Sequence, residues 1–331
     1  MLLVMLRHSW PGIFGGSGIV GVVIFFTLSG YLITGLLTRD LGTYGKVRYG
    51  RFYLHRALRL VPALILLLVV FAVVEGVFNL TGARGDVPRS LAVGITYTMD
   101  IPFDHGSRSL SHLWTLAVEE QFYLVWPVLL TVAIVFRRVP LVLISTGAVL
   151  MLVLLASLFV SHPTYEHIYT LPSTWTISMV IGAAARLGRA QLLEWWERNR
   201  ARRAVLISAA SVVLLALSVL PDAKNVAVMY VIGGPGIGVA TMILIFALGK
   251  VQRIPSRPAR SLLHLGTISY ATYLWNWPVY LWLSVHLPAP VASAVAPIVT
   301  VAAAIISWFL IEKPLSDVRR RIDKHMRATL R

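Results

Sequence analysis

Apolar residues in this chain come in runs too long and too unbroken for strands or surface helices, and the polar residues gather in the links between them. Read between charged or Pro/Gly breaks, the pattern predicts ten spans: 1–10, 17–38, 59–79, 113–136, 140–160, 172–187, 204–220, 225–249, 265–285 and 290–311. Most approach the roughly twenty residues that carry a helix across a hydrocarbon core. The expected fold class is therefore all-α, a polytopic transmembrane helix bundle of about ten spans, with 1–331 forming a single integral-membrane domain.

The first run is the exception. Met1 to Trp10 rises only about 15 Å as a helix, half of a bilayer core. No basic region precedes it and no small-residue cleavage site follows it, which argues against a secretory signal. If it counts as one crossing, alternate links fall on opposite sides of the membrane. One set, made of 39–59, 137–138, 186–203, 250–260 and the tail 313–331, then holds 25 of the 30 Lys and Arg. The other holds Arg84, Arg89, Arg108 and Lys224, and Arg7 sits at the outer end of the first run. Cytoplasmic links are the ones enriched in Lys and Arg, so both termini and the basic tail 313–331 are expected in the cytoplasm. On the same alternation, the residues that complete the first crossing are expected upstream of Met1, as a late start codon would leave them.

Composition narrows the class further. With 57% hydrophobic and 13% charged residues and a mean hydropathy of +0.75, the chain lies outside the usage of soluble globular domains. The net charge of +16 is parked in links, where topology and contact with membrane lipids explain it and nucleic-acid binding does not. The absence of cysteine excludes disulfides, Cys-based metal sites and a thioester carried on the protein's own thiol. No metal is expected.

Ionisable groups inside a span are costly and mark candidate sites. His8 lies near the outer end of the first run. In HLWTLAVEEQFYLVWP, helical spacing puts His112, Thr115, Glu119, Phe122 and Trp126 on one stripe and Glu120 on a neighbouring one, so Glu119 is the better candidate for a polar interior. Either glutamate could equally be a structural carboxylate capped by Tyr, Trp or Arg from another helix, and His8 an interfacial histidine bonded to a carbonyl. Glu75, close to the end of its span, is expected in water. The second span carries Gly21, Thr27, Gly30, Thr34 and Thr38 in a small and polar stripe, read either as close helix packing or as Ser29 and Thr34 lining a cavity. The ninth repeats the pattern with Ser269, Thr272, Tyr273, Asn276 and Tyr280, which also suits an interfacial aromatic belt. In RYGRFYLHRALRLVP, Arg51, Arg56 and Arg59 suit anionic lipid or a phosphate clamp. The one long outer link, 80–112, carries Asp100, Asp104, His105 and His112, and long links tend to be functional or disordered.

Five segments in order, IFFTLSGYLITGLL (24–37), RFYLHRALRLVPAL (51–64), HLWTLAVEEQFYLVWP (112–127), ISYATYLWNWPVYLW (268–282) and IEKPL (311–315), resemble the bacterial acyltransferase-3 family of membrane O-acyltransferases. The resemblance covers nearly the whole chain. It implies an enzyme of the bacterial cytoplasmic membrane that moves an acyl group, acetyl above all, from acyl-CoA on the cytoplasmic side to a hydroxyl of a saccharide or other polar acceptor of the cell envelope. His8 matches a histidine regarded as catalytic in the family, whose basic partner ten residues earlier would fall ahead of Met1. The mechanism it suggests uses His8 as general base, Glu119 to orient His8 or hold its imidazolium form, and Ser29 or Thr34 to donate to the oxyanion. Arg51, Arg56 and Arg59 would hold the CoA phosphates. Thr34, Glu120, His112, Trp114, Tyr273 and Asn276 would line the acceptor cavity, entered from the 80–112 side. Two positions depart from the family: Asn276 replaces a frequent histidine, and Trp175 a frequent arginine. The alternative class is a transporter or flippase of a lipid-linked sugar, which predicts inverted repeats; none is evident.

Overall fold

Long runs of Leu, Val, Ala and Ile can satisfy their backbone groups in an apolar medium only by coiling, because a helix pairs every interior N–H and C=O within the segment. The computed structural model describes residues 1–101, 104–162, 165, 168–249, 266–318 and 320, and every regular element among them is helical. In order these are α1 (Leu2–Ser9), α2 (Ser17–Tyr44), α3 (Tyr49–Gly76), α4 (Val87–Thr96) and α5 (Trp114–Val135), the last led in by a 3₁₀ segment at Arg108–Leu113. They continue with α6 (Val139–Ser161), α7 (Pro172–Leu187), α8 (Arg189–Arg198), α9 (Arg200–Ser218), α10 (Gly234–Leu248), α11 (Ser269–Ser284) and α12 (Ala289–Ser307). A π-turn precedes α10 at Met229–Gly233 and another follows α12 at Trp308–Glu312.

Each of the ten apolar runs contains a helix, but among the described residues seven helical segments are long and apolar enough to cross a membrane by themselves. The shortfall is in α1, α7 and α11, which have 8, 16 and 16 residues. The basic link 250–260 and most of the tail 313–331 lie outside the described residues. Apolar surface is turned outward on α6, where Phe159 is 88% exposed, and on α9, as expected of helices that meet lipid tails.

Backbone contact organises the interior. The most extensive helix pair is α2 with α7, and glycines on both sides let it close. An ideal Cβ on Gly30 would lie 1.9 Å from the Met179 carbonyl oxygen, and one on Gly182 would lie 2.0 Å from that of Thr27. The start of α2 is similarly tied to the end of α9: a Gly16 Cβ would fall 2.0 Å from the Leu217 oxygen, and Gly16 N donates to Ser218 O at 3.2 Å. The small stripe of the second span therefore packs helices. Thr34 is corrected from cavity lining to packing, since it is fully buried and its hydroxyl accepts from Trp126 Nε1 at 2.8 Å.

Prolines inside helices redirect the remaining polar groups. A proline lacks the N–H that would bond the carbonyl four residues earlier. For Pro278 that carbonyl is Leu274 O, and His112 Nε2 of the α5 lead-in donates to it at 3.1 Å. For Pro127 it is Tyr123 O, reached by the Tyr53 hydroxyl, which also lies 3.2 Å from Leu124 O. Glu75 is likewise corrected. It is buried rather than in water, accepting from Trp282 Nε1 at 3.0 Å and Thr81 N at 3.1 Å.

The α2–α7 contact generates a stability prediction. Gly30→Ala and Gly182→Ala should each lower the unfolding free energy of the detergent-solubilised protein by about 1–3 kcal/mol, the usual cost of forcing a methyl into a filled contact. Gly147→Ala, on α6 with nothing within 4 Å of its ideal Cβ, should be neutral or stabilising. Thermal denaturation of the three variants side by side tests the contrast.

Candidate active site

Two cavities open at opposite ends of α2. The first, of about 630 Å³, takes Gly18 and Val22 from α2, His8 and Arg7 from α1, His112, Trp114 and Thr115 from the start of α5, and Tyr273 and Trp277 from α11. The second, of about 410 Å³, takes Leu36, Leu37 and Asp40 from α2 and five arginines, Arg39, Arg48, Arg51, Arg56 and Arg59. Val22 and Leu36 are fourteen residues apart, which places the two linings about 21 Å from each other along the helix.

In the first cavity the ring of His8 is held on two sides. Its Nδ1 lies 2.5 Å from Asn276 Oδ1, and its face meets Trp277 at 4.6 Å between centroids. With the amide turned this way its oxygen can only accept, so Nδ1 is the donor of this bond. Trp277 is itself fixed by donation from Nε1 to Arg108 O at 2.8 Å. His112, beside it, uses Nε2 to donate to Leu274 O. The Tyr273 hydroxyl donates to the His112 carbonyl, which leaves Thr115 as the donor to Tyr273.

Between the cavities the interior is closed by a polar cluster. Glu119, one turn beyond Thr115 on α5, is 3% exposed and accepts from Ser29 Oγ at 2.5 Å. Arg56 places Nη2 3.8 Å from Glu119 and Nε 3.8 Å from Glu120, and its guanidinium lies 3.1 Å over the Tyr123 ring. The Arg56 side chain is thus shared between the second cavity and the bundle interior.

The structure brings His8, His112, Trp114 and Tyr273 together in one cavity with Asn276 behind His8. It gathers Arg51, Arg56 and Arg59 at the other. It sets Ser29, Glu119 and Glu120 between the two. The expected pairing of Glu119 with His8 is replaced, because Glu119 answers Ser29 and Arg56 while Asn276 answers His8. Ser29 and Thr34 line neither cavity. Lining residues the sequence reading did not single out as candidates include Tyr169, Trp277 and Lys224 in the first cavity, and Arg39, Arg48 and His55 in the second. His55 sits inside the RFYLHRALRLVPAL segment, between the residues that were chosen. Lys224 carried no local signal, since only folding brings its link over His8.

A family model described as an acyltransferase domain matches residues 1–312. The chain is 31% identical over 351 residues to a putative peptidoglycan O-acetyltransferase of Bacillus subtilis, an alignment covering 94% of this chain and 52% of that protein. It is 28% identical over 342 residues to the peptidoglycan O-acetyltransferase of Listeria monocytogenes, again covering 94% and 52%. A putative O-acetyltransferase of Staphylococcus aureus is 25% identical over 285 residues, 80% of this chain and 46% of that one. The chain thus spans about half the length of these relatives. No solved structure matches it. Because the family match runs from α1 through both cavities to the π-turn at Glu312, the chain belongs to the acyltransferase-3 family.

Proposed function

We propose that this chain is the membrane acyl-transfer domain of an O-acyltransferase, moving an acetyl group from acetyl-CoA to a hydroxyl of a cell-wall saccharide of the peptidoglycan class. The observation that carries the reading is the His8 imidazole, pinned through Nδ1 to Asn276 Oδ1 in a 630 Å³ cavity so that Nε2 is the basic nitrogen. The names of the relatives support the acceptor class, and the excess of Lys and Arg on one set of links supports an orientation with the arginine cavity in the cytoplasm and the His8 cavity outside.

In this reading the acceptor hydroxyl gives its proton to His8 Nε2 as its oxygen attacks the thioester carbonyl. Collapse of the tetrahedral adduct breaks the C–S bond, and the leaving sulfur takes the proton back from the imidazolium, giving ester and free CoA thiol. Asn276 keeps the ring in one tautomer and orientation throughout. The arginines of the second cavity suit the CoA phosphates, because guanidinium forks bind phosphate oxygens in a bidentate way. Glu119 balances Arg56 at the inner wall of that cavity, so it acts on the reaction through Arg56 and not through His8. The thioester-bearing end of the donor has to pass this contact to reach His8.

Three outcomes test the proposal on the protein in lipid nanodiscs, following free CoA thiol and acetylated saccharide together. His8→Ala should lower kcat by about 10²–10⁴-fold, the range of a lost general base; equal turnover by His8→Ala overturns the assignment. Asn276→Ala should lower kcat by up to about a hundredfold with little change in donor KM, since only the ring's position is lost. Arg59→Gln should show the opposite split, a donor KM raised about tenfold with kcat largely kept, as removal of one phosphate contact does. Passage of an unmodified lipid-linked sugar with no consumption of thioester is the result that belongs to the transport alternative.

A further inference from the structure

We infer that α8 is an interfacial helix, lying in the headgroup layer of the leaflet at the arginine-cavity end, with Leu192 and Trp195 turned into lipid and exposed guanidiniums on the phosphates of anionic lipids. Its place follows from its two neighbours. α7 starts just after Tyr169 and Thr170, which line the His8 cavity, and α9 ends at Ser218, whose carbonyl takes the Gly16 N–H at the start of α2. α8 joins the other ends of these helices. There Arg186 of α7 lies against α2, its Nε 2.7 Å from the place of a Gly35 Cβ, one turn before Arg39 of the arginine cavity.

One face of α8 belongs to the protein. Trp196 is buried with Ala185, Met242 and Phe246, and Leu193 packs against them. The adjoining face does not. Leu192 and Trp195, three apart and therefore neighbours on the helix, are 38% and 45% exposed. What covers them is set by α9, which begins directly after α8. Val205, Val212 and Leu215 are its exposed apolar residues, and a membrane-length helix turns such residues to lipid tails. Val205 stands about 8 Å along α9 from Arg200, so α8 lies at the depth of the headgroups, where amphipathic helices rest and Trp is enriched.

Charge selects the headgroup. In the segment 186–203, six arginines stand against Glu194 and Glu197. Glu194 is taken by Arg198, and Glu197 by Arg200 and Arg203. Among the described residues no carboxylate pairs with Arg189 or Arg202, and both are exposed. At this depth their guanidiniums meet lipid phosphates, and each basic residue held at an anionic surface adds to the attraction.

The chain has no cysteine, so Leu192→Cys provides a single site for a fluorescent label, and Glu194→Cys labels the other side of the helix as a control. Should Leu192→Cys fail to insert, Trp195→Cys labels the same face. The full chain in nanodiscs of phosphatidylcholine and phosphatidylglycerol would be read for quenching by aqueous iodide and by lipids spin-labelled at the headgroup or deep in the acyl chain. The label at 192 should be quenched most by the headgroup-level spin label, and the label at 194 by iodide. At equal mole fraction and low salt, spin-labelled phosphatidylglycerol should reach the 192 label with about fivefold preference over spin-labelled phosphatidylcholine. High salt should erase that preference, and Arg189→Gln with Arg202→Gln should reduce it. Iodide quenching at 192 equal to that at 194 overturns the inference. So does a label at 192 shielded from iodide and lipid alike, because protein, a second copy or a partner, then covers the face. Equal quenching by the two lipids overturns the assignment of the arginines to anionic headgroups.

Discussion

Pro278 takes one N–H out of α11, and the Leu274 carbonyl it would have bonded is left facing a neighbouring element inside the bundle. Such a group costs several kcal/mol unless another element supplies a donor. His112 supplies it through Nε2, which ties the start of α5 to the middle of α11 and fixes which His112 nitrogen bears the proton. Between the freed carbonyl and the proline lie Asn276 and Trp277, the two residues that hold His8 from its edge and its face. A five-residue stretch, Leu274 to Pro278, therefore positions both histidines of the cavity. The base of the proposed reaction is placed by a defect in helix bonding and the side chain that repairs it.

The same constraint explains why the two cavities are separate. A carboxylate at Glu119 and a guanidinium at Arg56 can sit this deep only because each answers the other, with Ser29 and the Tyr123 ring completing their shells. Removing one partner would leave a buried unpaired charge, a cost of about 3–5 kcal/mol, which is more than a cavity of this size tolerates silently. The cluster therefore keeps the His8 cavity and the arginine cavity distinct in the ground state. It also sets the chemistry at the boundary: the arginine cavity meets a cation that is already half satisfied, and the His8 cavity meets the hydroxyls of Thr115 and Tyr273.

Much of this was legible along the chain. The apolar runs located every membrane-length helix among the described residues, and the α5 stripe of His112, Thr115, Glu119, Phe122 and Trp126 is buried along its whole length. Helical periodicity reports which residues share a face, and for these five that was enough. It does not report what stands opposite. Asn276 read as a departure from a family pattern, and its value as the partner of His8 exists only across 268 positions of sequence. Glu75 read as exposed because it lies near a helix end, whereas Trp282 folds over it from α11. Thr34 and Ser29 look alike on α2, yet Trp126 claims the first and Glu119 the second. Lys224 read only as an outer-link cation for the same reason, since a link between two helices has no periodicity from which a cavity can be inferred.

Ser29 and Gly30 show how rigidity and chemistry are set by one local choice. Consecutive residues on a helix point about 100° apart, so this pair faces two different neighbours. Gly30 lets the α7 backbone approach until Met179 O occupies the place of a side chain, which leaves α2 little freedom to slide or rotate. Ser29, fixed by that contact, then presents its hydroxyl to Glu119 at a set height on α5. The position of the charged cluster is thus inherited from a backbone contact on an adjacent face of α2. α3 and α5, by contrast, meet through side chains: the Tyr49 and Tyr53 hydroxyls, the proline-freed Tyr123 carbonyl and the pairing of Arg56 with Glu119 and Glu120. Hydrogen bonds to tyrosine hydroxyls can exchange partners at modest cost, whereas interlocked backbones cannot.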